Sequence, residues 1–276
     1  MVEKELLELV RPWIEASLGY ELPESVEAEP RLEVAPTGKY SHPFFAVLID
    51  QVVAAAARSE WIEQLRPIFD ELHPDLLFSI FGAYELSRVT LTDEVAVWGP
   101  VPSYAADETT WRPVDDDRPV KLSESQVSDV DFDLFWHCTG GGSDVQAHFG
   151  IYENGLLVGL SSVADQGHNI YDIGIDAVRG LQSRGLGSAV VSAAGNWILE
   201  RGGIPFATAA PWNVPSTRTL RGLGMRYVYS AMIGQPGPFQ APPQPFGEPL
   251  PGRPIYNYYP GWAMNKDIRE KPGPVA

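Results

Sequence analysis

The sequence predicts an α+β protein in two parts, a smaller helix-rich N-terminal α/β domain and a C-terminal domain built on a mixed β-sheet flanked by helices. Three observations predict it. Residues 3–18, EKELLELVRPWIEASL, repeat apolar side chains at helical spacing and stop at Gly19. Residues 147–163, AHFGIYENGLLVGLSSV, alternate and turn at Asn154-Gly155, the strongest short hairpin signal. Residues 169–178, NIYDIGIDAV, read as an apolar strand that runs into GLQSRGLGSAVV, where two glycines open a helix of small residues.

The elements follow in order. Leu6, Leu9, Val10, Trp13, Ile14 and Leu18 give the first helix one apolar face. A second helix is predicted over Phe44 to Trp61 and a third over Ile62 to Leu72. LLFSIFG, YELSRVTL and VAVWGP read as three short strands, with the Thr92-Asp93-Glu94 stretch as a tight turn. Residues 100–119 mix proline with an acidic run and read as a linker, which divides the chain into domains at 1–112 and 118–265. In the second domain RPVKL reads as a strand and residues 123–138, SESQVSDVDFDLFWHC, as a helix capped by Ser123. TGGGS is a loop. A helix from Ser188 to Arg201 turns Val190, Val191, Ala194, Trp197 and Ile198 to one side and ends at Gly202-Gly203. IPFATAA is a strand, NVPSTRTLRGL a helix opened by Asn213 with proline in its first turn, and MRYVYSAMI a strand. From Gly234 to Pro254 eight of 21 residues are proline, an extended excursion before a last aromatic strand in YNYYPGWAMN.

Bulk properties narrow the function. The chain has 276 residues, 44% of them hydrophobic, enough for one large or two small cores. A formal charge of −16 excludes a general nucleic-acid binder, because phosphate contacts need clustered Lys and Arg. One cysteine, Cys138, excludes an internal disulfide framework and suits the cytoplasm. The N-terminus is acidic and amphipathic, unlike a signal peptide, and the longest apolar run is broken by Asp50 and Gln51, so no membrane partner is expected.

The glycine loop carries the chemistry. Arg184, bare backbone at Gly185 and Gly187, and a helix N-terminus at one point suit an anion such as a phosphate. A P-loop needs Gly-Lys-Ser/Thr, yet Gly187 is followed by Ser188-Ala189; a dinucleotide fingerprint needs a third glycine where Val190 stands. A ligand-free αβ turn is the alternative for this stretch taken alone.

Gln182-x-x-Gly185-x-Gly187, after a strand and opening a helix, resembles the acetyl-CoA loop of the GNAT superfamily of N-acyltransferases. Asn213, Ser216, Gly224 and Met225 match the pattern of that family's next helix. The resemblance spans about Arg118 to Asn265. It implies a GNAT-like mixed sheet whose fourth and fifth strands splay apart around the pantetheine arm of acetyl-CoA, the co-substrate. It places Ile175, Asp176 and Ala177 along the arm, with the Ala177 amide as an oxyanion donor. Ser183, Arg184, Gly185, Leu186, Gly187 and Ser188, after Gln182, would hold the pyrophosphate. Asn213 and Ser216 would lie near the arm or the acyl group, Asn213 serving equally as an N-cap.

The family's usual proton handlers are missing. A tyrosine expected seven positions after the asparagine is Leu220, and a glutamate expected five positions before it is Thr208. Asp172 is the candidate base, with an exposed strand carboxylate as the plain alternative. His168 and the tyrosines at 227, 229, 256, 258 and 259 are weaker candidates. Cys138 reads as a buried thiol, not as an acyl carrier, and its neighbour His137 is poorly spaced for a metal, so no metal is expected.

The expectation is therefore an N-acetyltransferase moving an acetyl group from acetyl-CoA directly to a primary amine of a small molecule or peptide. The alternative is a CoA-binding sensing module without turnover, and a third reading makes the N-terminal part an interaction or dimerisation adaptor, so a homodimer is compatible. Phe239 and Phe246 are expected to pack the proline-rich excursion down as a wall of the acceptor site.

Overall fold

The computed structural model describes residues 2–23, 29–38, 41–138, 144–178, 184–211 and 213–236. Gly234 to Pro236, expected to begin the proline-rich excursion, are instead strand; the rest of the excursion, the aromatic strand after it, the TGGGS loop, Gln182 and Ser183 lie outside these residues. The chain divides into two units, Met1–Ala105 with Arg226–Gln240, and Ala106–Met225 with the residues that follow 240. The boundary thus falls at Ala105, inside the linker expected at 100–119, and the segment from Arg226 goes with the first unit.

In the first unit α1 (Lys4–Leu18) is the expected helix, closed by Gly19 at φ 81° with its N–H on the Glu15 carbonyl. β1 (Arg31–Val34) follows, then β2 (Phe44–Ile49) and β3 (Val52–Ala57), an antiparallel hairpin turning at Asp50 (φ 52°) and Gln51. A helix was expected there, and this is a correction. Both faces of the hairpin are covered, Phe44 and Ala46 against the α2 side and Phe45 against Trp13 of α1, ring centroids 5.7 Å apart. With both faces apolar the strand alternation disappears, and a continuous run cannot be told from a buried helix by period.

α2 (Ile62–Glu71) matches its expectation. Next come α3 (Pro74–Leu77) and α4 (Ile80–Thr90), where two strands were expected. Ser79 caps α4 by accepting from the Gly82 N–H at 3.3 Å, while Leu77 and Leu86 are buried; exposed Ile80, Phe81 and Tyr84 made the segment look like strand. The third expected strand is longer than it looked, since β4 runs Val95–Ala105 into the expected linker. Trp61, Leu65, Phe69, Leu77 and Leu86 fill the space over the hairpin.

In the second unit β5 (Val120–Lys121) precedes α5 (Glu124–Ser128), whose Ser123–Gln126 capping box is complete. The helix expected to reach residue 138 ends at Ser128. The carboxylate of Asp131 accepts from the Asp133 N–H at 3.1 Å, a local turn that competes with helix. β6 (Val145–Glu153) and β7 (Leu156–Asp165) form the predicted hairpin with Asn154 and Gly155 both at positive φ, as a type I′ turn requires. Then follow β8 (Ile170–Ala177), α6 (Leu186–Leu199), β9 (Ile204–Thr208) and α7 (Val214–Gly222). The strand order is β5-β6-β7-β8-β9, antiparallel except for the parallel β8–β9 pair. The last described strand, β10 (Arg226–Pro236), pairs antiparallel with β2 and β4, so among the described residues the first unit holds five strands in the order β1-β3-β2-β10-β4, beside the helices α1 to α4.

The expected linker holds one structural anchor. Trp111 is buried against α6, its Nε1 donating to Asn196 Oδ1 at 2.8 Å, and a Cβ at Gly195 would run into its ring. Overpacking a rigid indole costs roughly 1–3 kcal/mol. Gly195→Ala should therefore lower the urea midpoint of unfolding with the m-value unchanged, which equilibrium denaturation reads directly.

Candidate functional site

The site grows from the way β8 loses one neighbour. Its pairing with β7 is continuous from Tyr171↔Asp165 to Ala177↔Gly159, but its parallel pairing with β9 covers only Ile170↔Ile204, Tyr171↔Pro205 and Asp172↔Phe206. Beyond Asp172 the two strands part. The Val178 N–H donates to the Val158 carbonyl at 2.9 Å, so in the antiparallel ladder the even residues from Asp172 to Asp176 turn their backbone groups to β7. The odd residues Ile175 and Ala177 turn theirs the other way, where no β9 residue pairs with them.

The side chains alternate as well. Tyr171 packs against Trp197 of α6 at 6.3 Å, and Ile175 and Ala177 pack with Leu186, Ala189 and Val190. Asp172, Gly174 and Asp176 therefore share the opposite face, under the segment that follows α5.

The glycine loop sits where the split opens. Gly185 takes φ 75° and is the N-cap of α6, with no side chain among the described residues capping the helix. The N–H groups of the first turn are thus left for a ligand or water. A Cβ at Gly187 would meet Ile175 Cδ1 at 3.0 Å, so the bare glycine brings the helix start onto the unpaired part of β8. Two guanidinium groups flank the loop. Arg184 pairs with Glu153 at 2.7 Å, and Arg118, paired with Asp116 at 2.6 Å, donates to the Arg184 carbonyl at 3.3 Å.

The order of five strands, the parting of the fourth from the fifth and the glycine loop beside that opening make Ala106–Met225 GNAT-like in fold. No protein-family profile and no curated protein match the chain. Solved structures are similar at low identity. An acetyltransferase-family protein from Novosphingobium aromaticivorans shares 18% identity at a TM-score of 0.44, over 51% of this chain and 66% of that one. A GCN5-related N-acetyltransferase-like protein from Streptococcus suis shares 14% at 0.45, over 83% and 100%. A GNAT-family acetyltransferase from Colwellia psychrerythraea shares 13% at 0.43, over 84% and 96%. The chain spans just under two thirds of the Novosphingobium protein.

Of the residues singled out in the sequence, Ile175, Asp176, Ala177, Arg184, Gly185, Leu186, Gly187 and Ser188 come together around the split. Asn213 is buried and caps α7, its Oδ1 accepting from the Ser216 N–H at 3.3 Å. Leu220 is buried at 1% exposure, while Thr208 is exposed. His168 lies exposed in the β7–β8 turn at φ 53°. Cys138 is buried, its Sγ 3.4 Å from the Leu160 carbonyl, and burial pushes the thiol well above its ordinary range, with the Asp176 charge adding to it. Among the described residues no group of three or more His, Cys, Asp or Glu could hold a metal ion, and no helix is long and apolar enough to cross a membrane.

One pair escaped the sequence. His137 Nδ1 lies 2.8 Å from Asp176 Oδ1, across 39 residues. The only sequence signal was a histidine beside an apolar Phe-Trp pair, and nothing local connects it to β8.

Asp172 stands at the point of divergence. Its burial pushes the carboxyl from 3.8 up to about 6, against the pull of the Ile173 N–H. A raised folded-state pKa means that the native protein binds the proton more tightly than the unfolded chain. Stability from this group is therefore present below about pH 4 and lost as pH rises through about 6. Asp172→Asn should remove the cost, stabilising the protein at pH 8 by up to roughly 3 kcal/mol and changing little at pH 4. Thermal melts at the two pH values check the sign.

Proposed function

We propose that the Ala106–Met225 unit is an acyl-CoA-dependent N-acyltransferase that moves an acetyl group directly to a primary amine. The observation that carries this is the pair Ile175 and Ala177, whose backbone groups face the split without a β9 partner, next to the start of α6. An extended amide-bearing arm suits the first and a pyrophosphate the second. Ile175 and Ala177 would bind the arm along the backbone, as a further strand would. The N–H groups of Leu186, Gly187 and Ser188, together with the Arg184 guanidinium, would hold the pyrophosphate, and Gln182 and Ser183 are assigned to the same role. Arg184 would exchange Glu153 for phosphate. Asn213 caps α7, the helix that carries Ser216 and whose Thr219 Oγ1 would stand 3.8 Å from a Cβ at Gly187.

Acetyl-CoA supplies the activated acyl carbon. Asp172, ionised above about pH 6, is the group that accepts the proton of the amine. Two carboxylates on one strand face, Asp172 and Asp176, and the overall charge of −16 favour a cationic acceptor. A buried Cys138 with a raised thiol pKa speaks against an acyl-cysteine route.

The missing tyrosine favours a second reading, a CoA-binding sensor without turnover, since Leu220 is buried and has no proton to give. Turnover with acetyl-CoA and a panel of amines separates the two.

Gly187→Val should weaken CoA binding by about tenfold or more, roughly 1.4 kcal/mol, because the branched side chain stands over the loop and presses on Ile175. Calorimetry on a variant shown by its melt to be folded decides the matter, and an unchanged affinity would sink the assignment of the loop. Asp172→Asn should lower kcat by roughly a hundredfold or more with CoA affinity intact.

A further inference from the structure

The Asp176 carboxylate is clamped at two points. Oδ1 lies 2.8 Å from Nδ1 of His137, and Oδ2 accepts from the His137 backbone N–H at 2.7 Å. An ionised carboxylate can only accept, so the ring carries its proton at Nδ1 and exchanges protons at Nε2. The pair lies close on β8, because a Cβ at Gly174 would collide with the His137 carbonyl oxygen and come within 3.1 Å of Cys138 Cα. Neither side chain is sealed off, with 27% of His137 and 18% of Asp176 exposed. The dyad thus sits on the stretch that β9 abandons, four residues beyond Asp172 and on the same face.

We propose that His137, held by Asp176, is the group that protonates the departing thiolate, the role that Leu220 cannot fill; this rests on the acyl-transfer reading above. The amine nitrogen bonds to the thioester carbonyl carbon and the C–S bond breaks, its electron pair going to sulfur. The proton of the amine passes to Asp172 and the Nε2 proton of the imidazolium passes to sulfur. Proton transfer from Asp172 to His137 through solvent restores both groups. Asp176 acts through His137 and is a positioning residue.

The charge states suit these roles. Burial pulls the imidazole down, but the Asp176 hydrogen bond and charge outweigh it, so its pKa is raised, while Asp172 ionises above about 6. Two groups driven this way share a pH window, opening near 6, in which each is in its working form. Among the described residues, the Cys138 thiol next along the chain and His148 of β6, which lies across from Ser162, are further titratable groups on this face.

Leaving-group chemistry tests the proposal. With acetyl-CoA, His137→Gln should lower kcat by about a hundredfold. With an aryl acetyl thioester, whose thiol is far more acidic and leaves without help, the loss should shrink to severalfold. An equal loss with both donors would overturn the acid role. In the free protein, NMR titration of the ring nitrogens should show the His137 pKa raised, and Asp176→Asn should lower it and move the alkaline limb of the kcat profile to lower pH. An unmoved ring pKa and limb in that variant overturns the dyad. Melts of both variants report folding. If the wild-type protein binds no CoA by calorimetry, the acyl-transfer reading falls and this proposal with it. If it turns over and His137→Gln is unimpaired with acetyl-CoA, only this proposal falls.

Discussion

Backbone N–H and C=O groups withdrawn from a strand neighbour must find other partners, and in the Ala106–Met225 unit that constraint is concentrated on a few residues of β8. Three residues, Ile170 to Asp172, pair with β9 and the next odd positions do not. β7 holds β8 in register from Tyr171 to Ala177, so the strand stays extended beyond Asp172, where its other edge has no β9 partner. Such an edge is an attachment point for an extended group with amides of its own, which is why the proposed function centres there.

The two faces of that strand are kept chemically distinct by alternation. The face toward α6 is apolar, with Ile175 touching the position where Gly187 lacks a side chain, so the start of the helix and the bare edge are parts of one packing arrangement. The opposite face carries Asp172 and Asp176, and the chain after α5 lies on it through Gly174. A side chain at Gly187 or at Gly174 would push away one of the two coverings. Burial of Asp172 costs stability at neutral pH, as groups held ready for proton transfer commonly do.

Charges at the loop are arranged in exchangeable pairs. Arg118 and Arg184 each meet a carboxylate on a partly exposed surface, where such pairs contribute little to stability. Their placement beside Gly185 matters more for what they can be redirected toward than for holding the fold.

What the sequence by itself determined is what local chemistry controls. Gly19 ends α1, Asn154-Gly155 turns the β6–β7 hairpin, Ser123 and Gln126 open α5, and Gly185 opens α6, because each depends on residues within a turn of one another. The resemblance of the loop and of Asn213 to an acetyl-CoA-binding pattern belongs to the same level. Tertiary structure decided the rest. Whether FFAVLI is helix or strand depends on both its faces being covered, and whether Ile80 to Thr90 is helix depends on Leu77 and Leu86 finding a core. That β10 pairs with β2 and β4, that β8 parts from β9 after Asp172, and that His137 meets Asp176 are contacts between residues tens to hundreds of positions apart. No periodicity or spacing encodes them, since they follow from how whole elements pack.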